Sequence, residues 1–414
     1  GIYQKTISVE TLPGYLTKKV SATVSWSAEY LRPQHVTLSA LVTNFEHAVG
    51  GNTCDSVLTG DWKNPDIDTK DFDVLVSDSS SIHPISDVDA YQKKLYVTTR
   101  SASATSKPVF FVLDISNPAS PVLRGSLDTA PAVAAGLNAI AVATSSAQHY
   151  AYVANAHDPN FANCSVGPSC AQLQIIDISN PTAPALVQNY KLSSSTPPYV
   201  TGNSVAGSGQ AVGKSIFYQS GYVYLGLSVT QSGPEFHVID VHNPLNPRWV
   251  GSWPSPGTSS GFAINGVTVK GKYAYLATAN GTKDMVILDI SNPASPVEVG
   301  SYDASGGNHG KALALLGDSA YLGRTFGGNE FNVFNIATPA SPSLTGAGDA
   351  GNTAASVVND VLIRDYLAFL STTAGELQIW DVRNPTQPIA WTTNKTLATN
   401  DPAYALDCEG NYIY

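Results

Sequence analysis

Apolar and polar residues alternate in short runs along most of the chain, and this period of two predicts β-strands rather than helices. The stretch from Phe262 shows the unit clearly: FAINGVTVKG, KYAYLATA, DMVILDIS and PVEVGSYD read as four successive strands, a to d. Tight turns followed by alternating aromatics recur as KKLYVTT (93–99), HYAYVAN (149–155), GYVYLGL (221–227), GKYAYLA (271–277), DSAYLGR (318–324), DYLAFLS (365–371) and GNYIY (410–414). Each marks a strand b, so seven copies are predicted.

A second marker follows strand c. LDISNPASPV stands at 113–122 and again, unchanged, at 288–297. Related stretches are QIIDISNPTAPAL (174–186), HVIDVHNPLNPRW (237–249), NVFNIATPASPSL (332–344) and QIWDVRNPTQPIA (378–390). Their first prolines fall at 118, 181, 244, 293, 339 and 385, so the shortest spacing is 46 residues. A repeat of this length with β patterning predicts a propeller.

The marker could be a duplicated binding site or a structural joint. Asp114, Asp177, Asp240, Asp289 and Asp381, with Asn117, Asn180, Asn243, Asn292 and Asn384, are residues whose side chains bond backbone N–H groups and hold turns. Pro118, Pro181, Pro244, Pro293, Pro339 and Pro385 lack an N–H and end the strand. The fifth copy has Asn335 and Thr338 instead, which a turn tolerates and a metal site does not. The marker therefore reads as the c–d joint.

On these residues the chain resembles the LVIVD-repeat family of β-propellers over 72–414, a likeness that implies architecture and no particular activity. The expected fold is all-β: a seven-bladed β-propeller of four-stranded antiparallel blades. The seventh copy stops after strand b, and an open blade leaves backbone groups unpaired. DFDVLVSD (71–78) is expected to close it; continuation of the natural chain beyond 414 and a strand from another copy are the alternatives.

Residues 1–50 do not fit the repeat. IYQKTISVETL, KKVSATVSWSA and HVTLSALVTNF predict a three-stranded antiparallel N-terminal module. KKVSATVSWSAE, VTLSALVTNF and the following GGNTC resemble the C-terminal sheet of type IV pilin-like and pseudopilin proteins. That likeness implies a hydrophobic helix upstream of Gly1, and the start at Gly1 rather than Met fits a processed product. Residues 51–71 read as a polar acidic linker. Asp61, Asp66, Asp68, Asp71 and Asp73 resemble a calcium loop only loosely, since the glycine and terminal Glu of such loops are missing.

Composition narrows the function. Only 13% of the 414 residues are charged and the net charge is −10, which argues against nucleic acid as a partner. No apolar run is long enough to cross a bilayer, so membrane attachment is expected only through an upstream helix. Cys164 and Cys170, six residues apart in NCSVGPSC, predict a short disulfide hairpin; zinc would need ligands beyond His157. Cys54 and Cys408 remain, and an even count in an oxidising compartment pairs them.

No catalytic, cofactor or metal motif is present, so no cofactor is expected and the chain reads as a non-enzyme. His237 and His242 read as structural. His309, in GGNH before strand a of the fifth unit, is the one candidate ligand contact near a channel mouth. Asn163, Asn280 and Asn394 lie in N-x-S/T sequons open to glycosylation in a compatible host. The a–b and c–d turns share one face of the disc. The insertions at 100–108, 155–171 and 193–210 lie in b–c and d–a loops on the other, where recognition usually resides. The leading expectation is an extracellular or cell-surface propeller on a pilin-like base, displayed for adhesion to a protein or glycan surface. The alternative is a subunit of an extracellular filament, with pilin-like neighbours or further copies as partners. A channel-mouth enzyme comes third.

Overall fold

The computed structural model describes residues 54, 58–63, 65, 84–100, 108–129, 136–144, 149–156, 171–192, 211–230, 233–254, 260–304, 309–325, 328–351, 356–373, 376–396 and 403–414. Of the first 50 residues it describes the strands alone. Gly1–Val49 forms one compact unit and Gly50–Tyr414 another. In the first unit β1 (Ile2–Thr11), β2 (Thr17–Ser27) and β3 (Gln34–Thr43) make an antiparallel sheet with β2 in the middle. Ile2 pairs with Ser27, and Trp26 with Gln34.

The second unit contains six four-stranded antiparallel sheets, each paired in chain order. Blade one is β4 (Ile85–Tyr91), β5 (Lys94–Thr99), β6 (Phe110–Asp114) and β7 (Val122–Leu127). Blade two is β8 (Leu137–Thr144), β9 (His149–Asn155), β10 (Leu173–Asp177) and β11 (Ala185–Tyr190). Blade three is β12 (Gly213–Gln219), β13 (Tyr222–Leu227), β14 (Phe236–Asp240) and β15 (Arg248–Trp253). Blade four is β16 (Ile264–Lys270), β17 (Tyr273–Asn280), β18 (Lys283–Asp289) and β19 (Val297–Tyr302). Blade five is β20 (Gly310–Leu316), β21 (Ser319–Arg324), β22 (Phe331–Asn335) and β23 (Ser343–Gly348). Blade six is β24 (Val358–Arg364), β25 (Leu367–Thr372), β26 (Glu376–Asp381) and β27 (Ile389–Thr396).

Seven blades were expected, and among the described residues six are found. The seventh aromatic marker forms only a hairpin, β28 (Cys408–Glu409) with β29 (Tyr412–Ile413), in a sheet of two strands. A strand-b marker counts blades only where strands c and d pair with it, and among the described residues the seventh copy has no such partners. The proposed closing strand 71–78 lies outside the described residues.

Strands b and c lie between neighbouring blades and are apolar on both faces. Phe110, Phe111 and Val112 are fully buried, as are Val286, Ile287 and Leu288. Burying one such side chain stabilises the fold by about 1.5–3 kcal/mol. Strand d is the outer edge, and β7 alternates exposed and half-buried positions along its length. Each c–d pair carries a bulge one residue after its midpoint, as between Ile287 and Leu288, which increases the local twist.

The hairpin sits between blades six and one. The Asp407 carboxylate accepts the Ala90 N–H at 2.5 Å, and Glu409 accepts the Lys93 N–H at 2.6 and 2.7 Å. On the other side Asp360 accepts the Leu406 N–H at 2.8 Å, and the Asn359 amide donates to the Ala403 carbonyl at 2.7 Å. Cys54 is disulfide-bonded to buried Cys408, with Cα atoms 5.5 Å apart. Leu58 and Trp62 then pack on a cluster of Leu367, Phe369, Ile379, Leu406 and Ile413, and Trp62 meets Phe369 edge to face at 5.2 Å. Asn411 and Thr59 exchange two hydrogen bonds, at 2.7 and 3.0 Å. This part of the predicted linker is therefore docked on the propeller rather than free in solvent.

Candidate functional site

The repeated joint shows the same local bonding in every blade. Oδ1 of Asp114, Asp177, Asp240, Asp289, Asn335 and Asp381 accepts the N–H two residues on, at 2.8–3.0 Å. The residue at 117, 180, 243, 292, 338 or 384 then accepts, through its carbonyl, the N–H three residues on, at 2.9–3.0 Å. Hydrogen bonds from Ser116, with Arg124 and Lys94 nearby, hold the Asp114 carboxyl far below the usual range. A hydrogen bond from Arg383 likewise lowers the Asp381 carboxyl.

The joint also contacts the neighbouring blade. A Cβ on Gly125, Gly251, Gly300 or Gly346 would collide with the carbonyl oxygen of Pro181, Pro293, Pro339 or Pro385 in the next blade. The turn prolines thus lie against the preceding blade's outer strand, and only glycine leaves room. All six c–d connections span seven residues, and five of the six a–b connections span two. Gln92 with Lys93 and Asp365 with Tyr366 take positive φ, as tight hairpins between twisted strands require. On the opposite face the b–c connections range from two residues, after Asn280, to seventeen, after Asn155. The longest d–a connection follows Tyr190 and spans 22 residues.

The inner strands line the centre, and their free edges carry backbone groups that need partners. Side chains from the preceding blade supply them. Asp87 accepts the Ile140 N–H at 2.8 Å and Asp89 the Val142 N–H at 2.7 Å. Ser86 donates to the Leu137 carbonyl, Asn138 to Gly213, Ser215 to Ile264 and Asn265 to Gly310, at 2.5–2.9 Å. Burial pushes the carboxyls of Asp87, Asp89 and Asp360 up, Asp360 to about 6. Repulsion from Asp360 and Asp407 adds to the effect at Asp87, and from Asp407 at Asp89.

The other predicted residues are dispersed. The His309 N–H donates to Thr325 Oγ1 at 2.9 Å, and its buried Nδ1 has no partner among the described residues. His237 is buried, bonded through Nε2 to the Pro234 carbonyl at 2.9 Å and through Nδ1 to the Trp249 indole N–H at 3.3 Å. Burial lowers its pKa to about 4, so it is a neutral packing residue. His242 is exposed, bonds Asp240 at 2.8 Å and packs edge-on against Tyr222. Asn280 Oδ1 accepts the N–H and hydroxyl of Thr282 at 2.9 Å in the β17–β18 turn. Asp61 accepts the Lys63 N–H at 3.0 Å. Cys164, Cys170, Asn163, His157, Asp66, Asp68, Asp71, Asp73 and the side chain of Asn394 lie outside the described residues. Cys54, Asp407 and Cys408 are grouped closely enough to suggest a metal, but their two sulfurs are bonded to each other.

Sequence reasoning missed Arg100, Lys214 and Lys311 at the channel mouth on the variable face. The signal was present as a departure from the repeat. The second residue of the inner strand is Ser86, Asn138, Asn265 or Asn359 in four blades and lysine in blades three and five.

Comparison with known protein families agrees with the repeat pattern. Residues 104–129, 166–191 and 263–304 match the LVIVD repeat. No curated protein matches the chain. Among solved structures, the computationally designed protein Ika8 aligns at 11% identity over 81% of this chain and 93% of its own, with a TM-score of 0.45. A chain of the mitotic checkpoint complex aligns at 12% identity over 85% and 92%, with a TM-score of 0.47. Sqt1 from Chaetomium thermophilum aligns at 12% identity over 95% and 85%, with a TM-score of 0.46. None of these matches supports the pilin likeness of residues 1–50. The chain is a β-propeller repeat protein carrying three matched LVIVD segments.

Proposed function

We propose that this chain is a non-enzymatic recognition scaffold that works outside the cell and engages a surface through its b–c and d–a loops. The observation that carries this reading is the division of labour between the two faces. The c–d turns have one length and are committed to blade-to-blade packing through Pro181, Pro293, Pro339 and Pro385. The opposite connections vary from two to 22 residues, and loops released from the scaffold's own bonding are where binding surfaces arise. The Cys54–Cys408 disulfide favours an oxidising compartment.

The test compares two sets of variants of the full chain on a glycan array and on whole bacterial cells. In one, 157–170 or 193–210 is replaced by a short Gly-Ser connection; in the other, exposed residues of the turn face, such as Leu245 and Tyr366, become Lys. Binding lost only in the first set is the expected result. Binding lost only in the second would overturn the reading.

A further inference from the structure

Six inner strands bring the same register position to one end of the propeller. Ser86, Asn138, Asn265 and Asn359 stand there in four blades, and each donates to a carbonyl of the next inner element. Lys214 and Lys311 hold the position in blades three and five. Ammonium groups carry their charge to this inner rim, where the other blades place neutral amides and hydroxyls.

A third cation departs from the repeat in the same way. The residue after strand b bonds, through its N–H, the carbonyl of the residue before strand a. These pairs are Ala156 with Gly136, Ser228 with Val212, Thr325 with His309, and Thr373 with Val357, at 2.9–3.0 Å. In blade one the pair is Arg100 with Pro84, at 3.0 Å. Arg100 thus begins the b–c loop on the face where Lys214 and Lys311 begin their strands.

Among the described residues, nothing pairs with the side-chain nitrogens of these three cations. Their neighbours are each other: burial first, then repulsion from Lys311 and Arg100, lowers Lys214 to about 8. Burial and then Arg100 lower Lys311 in the same direction. The inner carboxylates do not compensate, because Asp87, Asp89, Asp360 and Asp407 are bound to backbone N–H groups of the next inner element. Lys214 and Lys311 are half-buried and Arg100 is exposed; like charges set near one another without a counterion among the described residues cost stability, and a bound anion offsets that cost.

We propose that Arg100, Lys214 and Lys311 form a binding site for a multivalent oxyanion, a ligand bearing carboxylate, sulfate or phosphate groups, at the channel mouth on the variable face. This deepens the recognition reading and rests on it. The probes are inorganic phosphate, sulfate, citrate and a uronic-acid disaccharide, titrated calorimetrically into the full chain at an ionic strength fixed with sodium chloride. At least one is expected to bind and to raise the melting temperature, with the disaccharide separating a sugar-borne carboxylate from a free ion. Lys214→Met and Lys311→Met are each expected to weaken it by about tenfold or more, as loss of a charge-assisted contact does. Asn265→Met, at the same register in the intervening blade, should leave affinity within about twofold. Lys214→Gln serves if the Met variant does not fold. No heat and no stabilisation with any probe, or equal binding by both Lys variants, would overturn the site. If the anions fail while the loop variants still lose surface binding, the inference alone falls. If binding maps to the turn face, the recognition reading falls with it.

Discussion

Replacing Cys54 and Cys408 together by serine is expected to remove a large part of the propeller's stability. The bond joins residues 354 positions apart and ties the last hairpin to the segment preceding blade one. In the chain-entropy model a cross-link closing a loop of that length costs the unfolded chain about 20 cal/mol/K, or about 6 kcal/mol at 25 °C. A compact denatured state reduces this, so a loss of about 3–6 kcal/mol is expected, comparable with the whole stability of many domains. Serine substitution, unlike reduction, leaves Cys164 and Cys170 untouched. Guanidinium unfolding measures the loss, and native-state hydrogen exchange locates it. The Ala90 and Lys93 amides, bonded to Asp407 and Glu409 of the hairpin, should exchange much faster, whereas the core of blade four around Leu276 should change less. A loss below about 1 kcal/mol, with Ala90 and Lys93 still protected, would refute the idea that this bond holds the ring closed.

Three further outcomes follow from the packing and the charges. Gly300→Ala sets a methyl against the Pro339 carbonyl and should cost about 1–3 kcal/mol in thermal unfolding; Gly271→Ala, with open space but a φ of +59°, should cost only about 1 kcal/mol. Arg324→Met strands the Asp284 carboxylate, which it pairs at 3.1 Å with side-chain exposures of 4% and 1%. Denaturant unfolding should show a loss of about 3–5 kcal/mol, mostly recovered when Asp284 is also replaced by Leu. Because Asp360 is raised to about 6 in the folded chain, the folded state holds its proton more tightly than the unfolded state. Its contribution is full below about pH 4 and is lost as pH rises through 6, a change of about 3 kcal/mol. Asp114 and Asp381 are lowered by their hydrogen bonds and act the other way, losing stability as pH falls below about 4. Melting temperature should therefore peak in mildly acidic buffer, and Asp360→Asn should flatten the decline above pH 5.

The strands and joints were legible because their causes are local. Alternation sets which residues face a neighbouring blade, and an Asp or Asn two residues before a free N–H makes the same turn wherever it occurs. Hence DMVILD lies in β18 and LDISNPASPV forms the joint at both of its positions. The blade count was not legible in this way, since GNYIY resembles the other strand-b markers yet stands in a two-stranded hairpin. Nor was the docking of Leu58 and Trp62, whose surroundings in sequence are polar and whose apolar partners lie more than 300 residues away. Pairing Cys54 with Cys408 could be argued by counting, but only the ring brings their Cα atoms within bonding reach. The same holds for Arg100, Lys214 and Lys311, which lie about a hundred residues apart. Each is unremarked in its own stretch of chain; as departures from a shared register they become one cationic rim, because closing the ring places equivalent positions side by side.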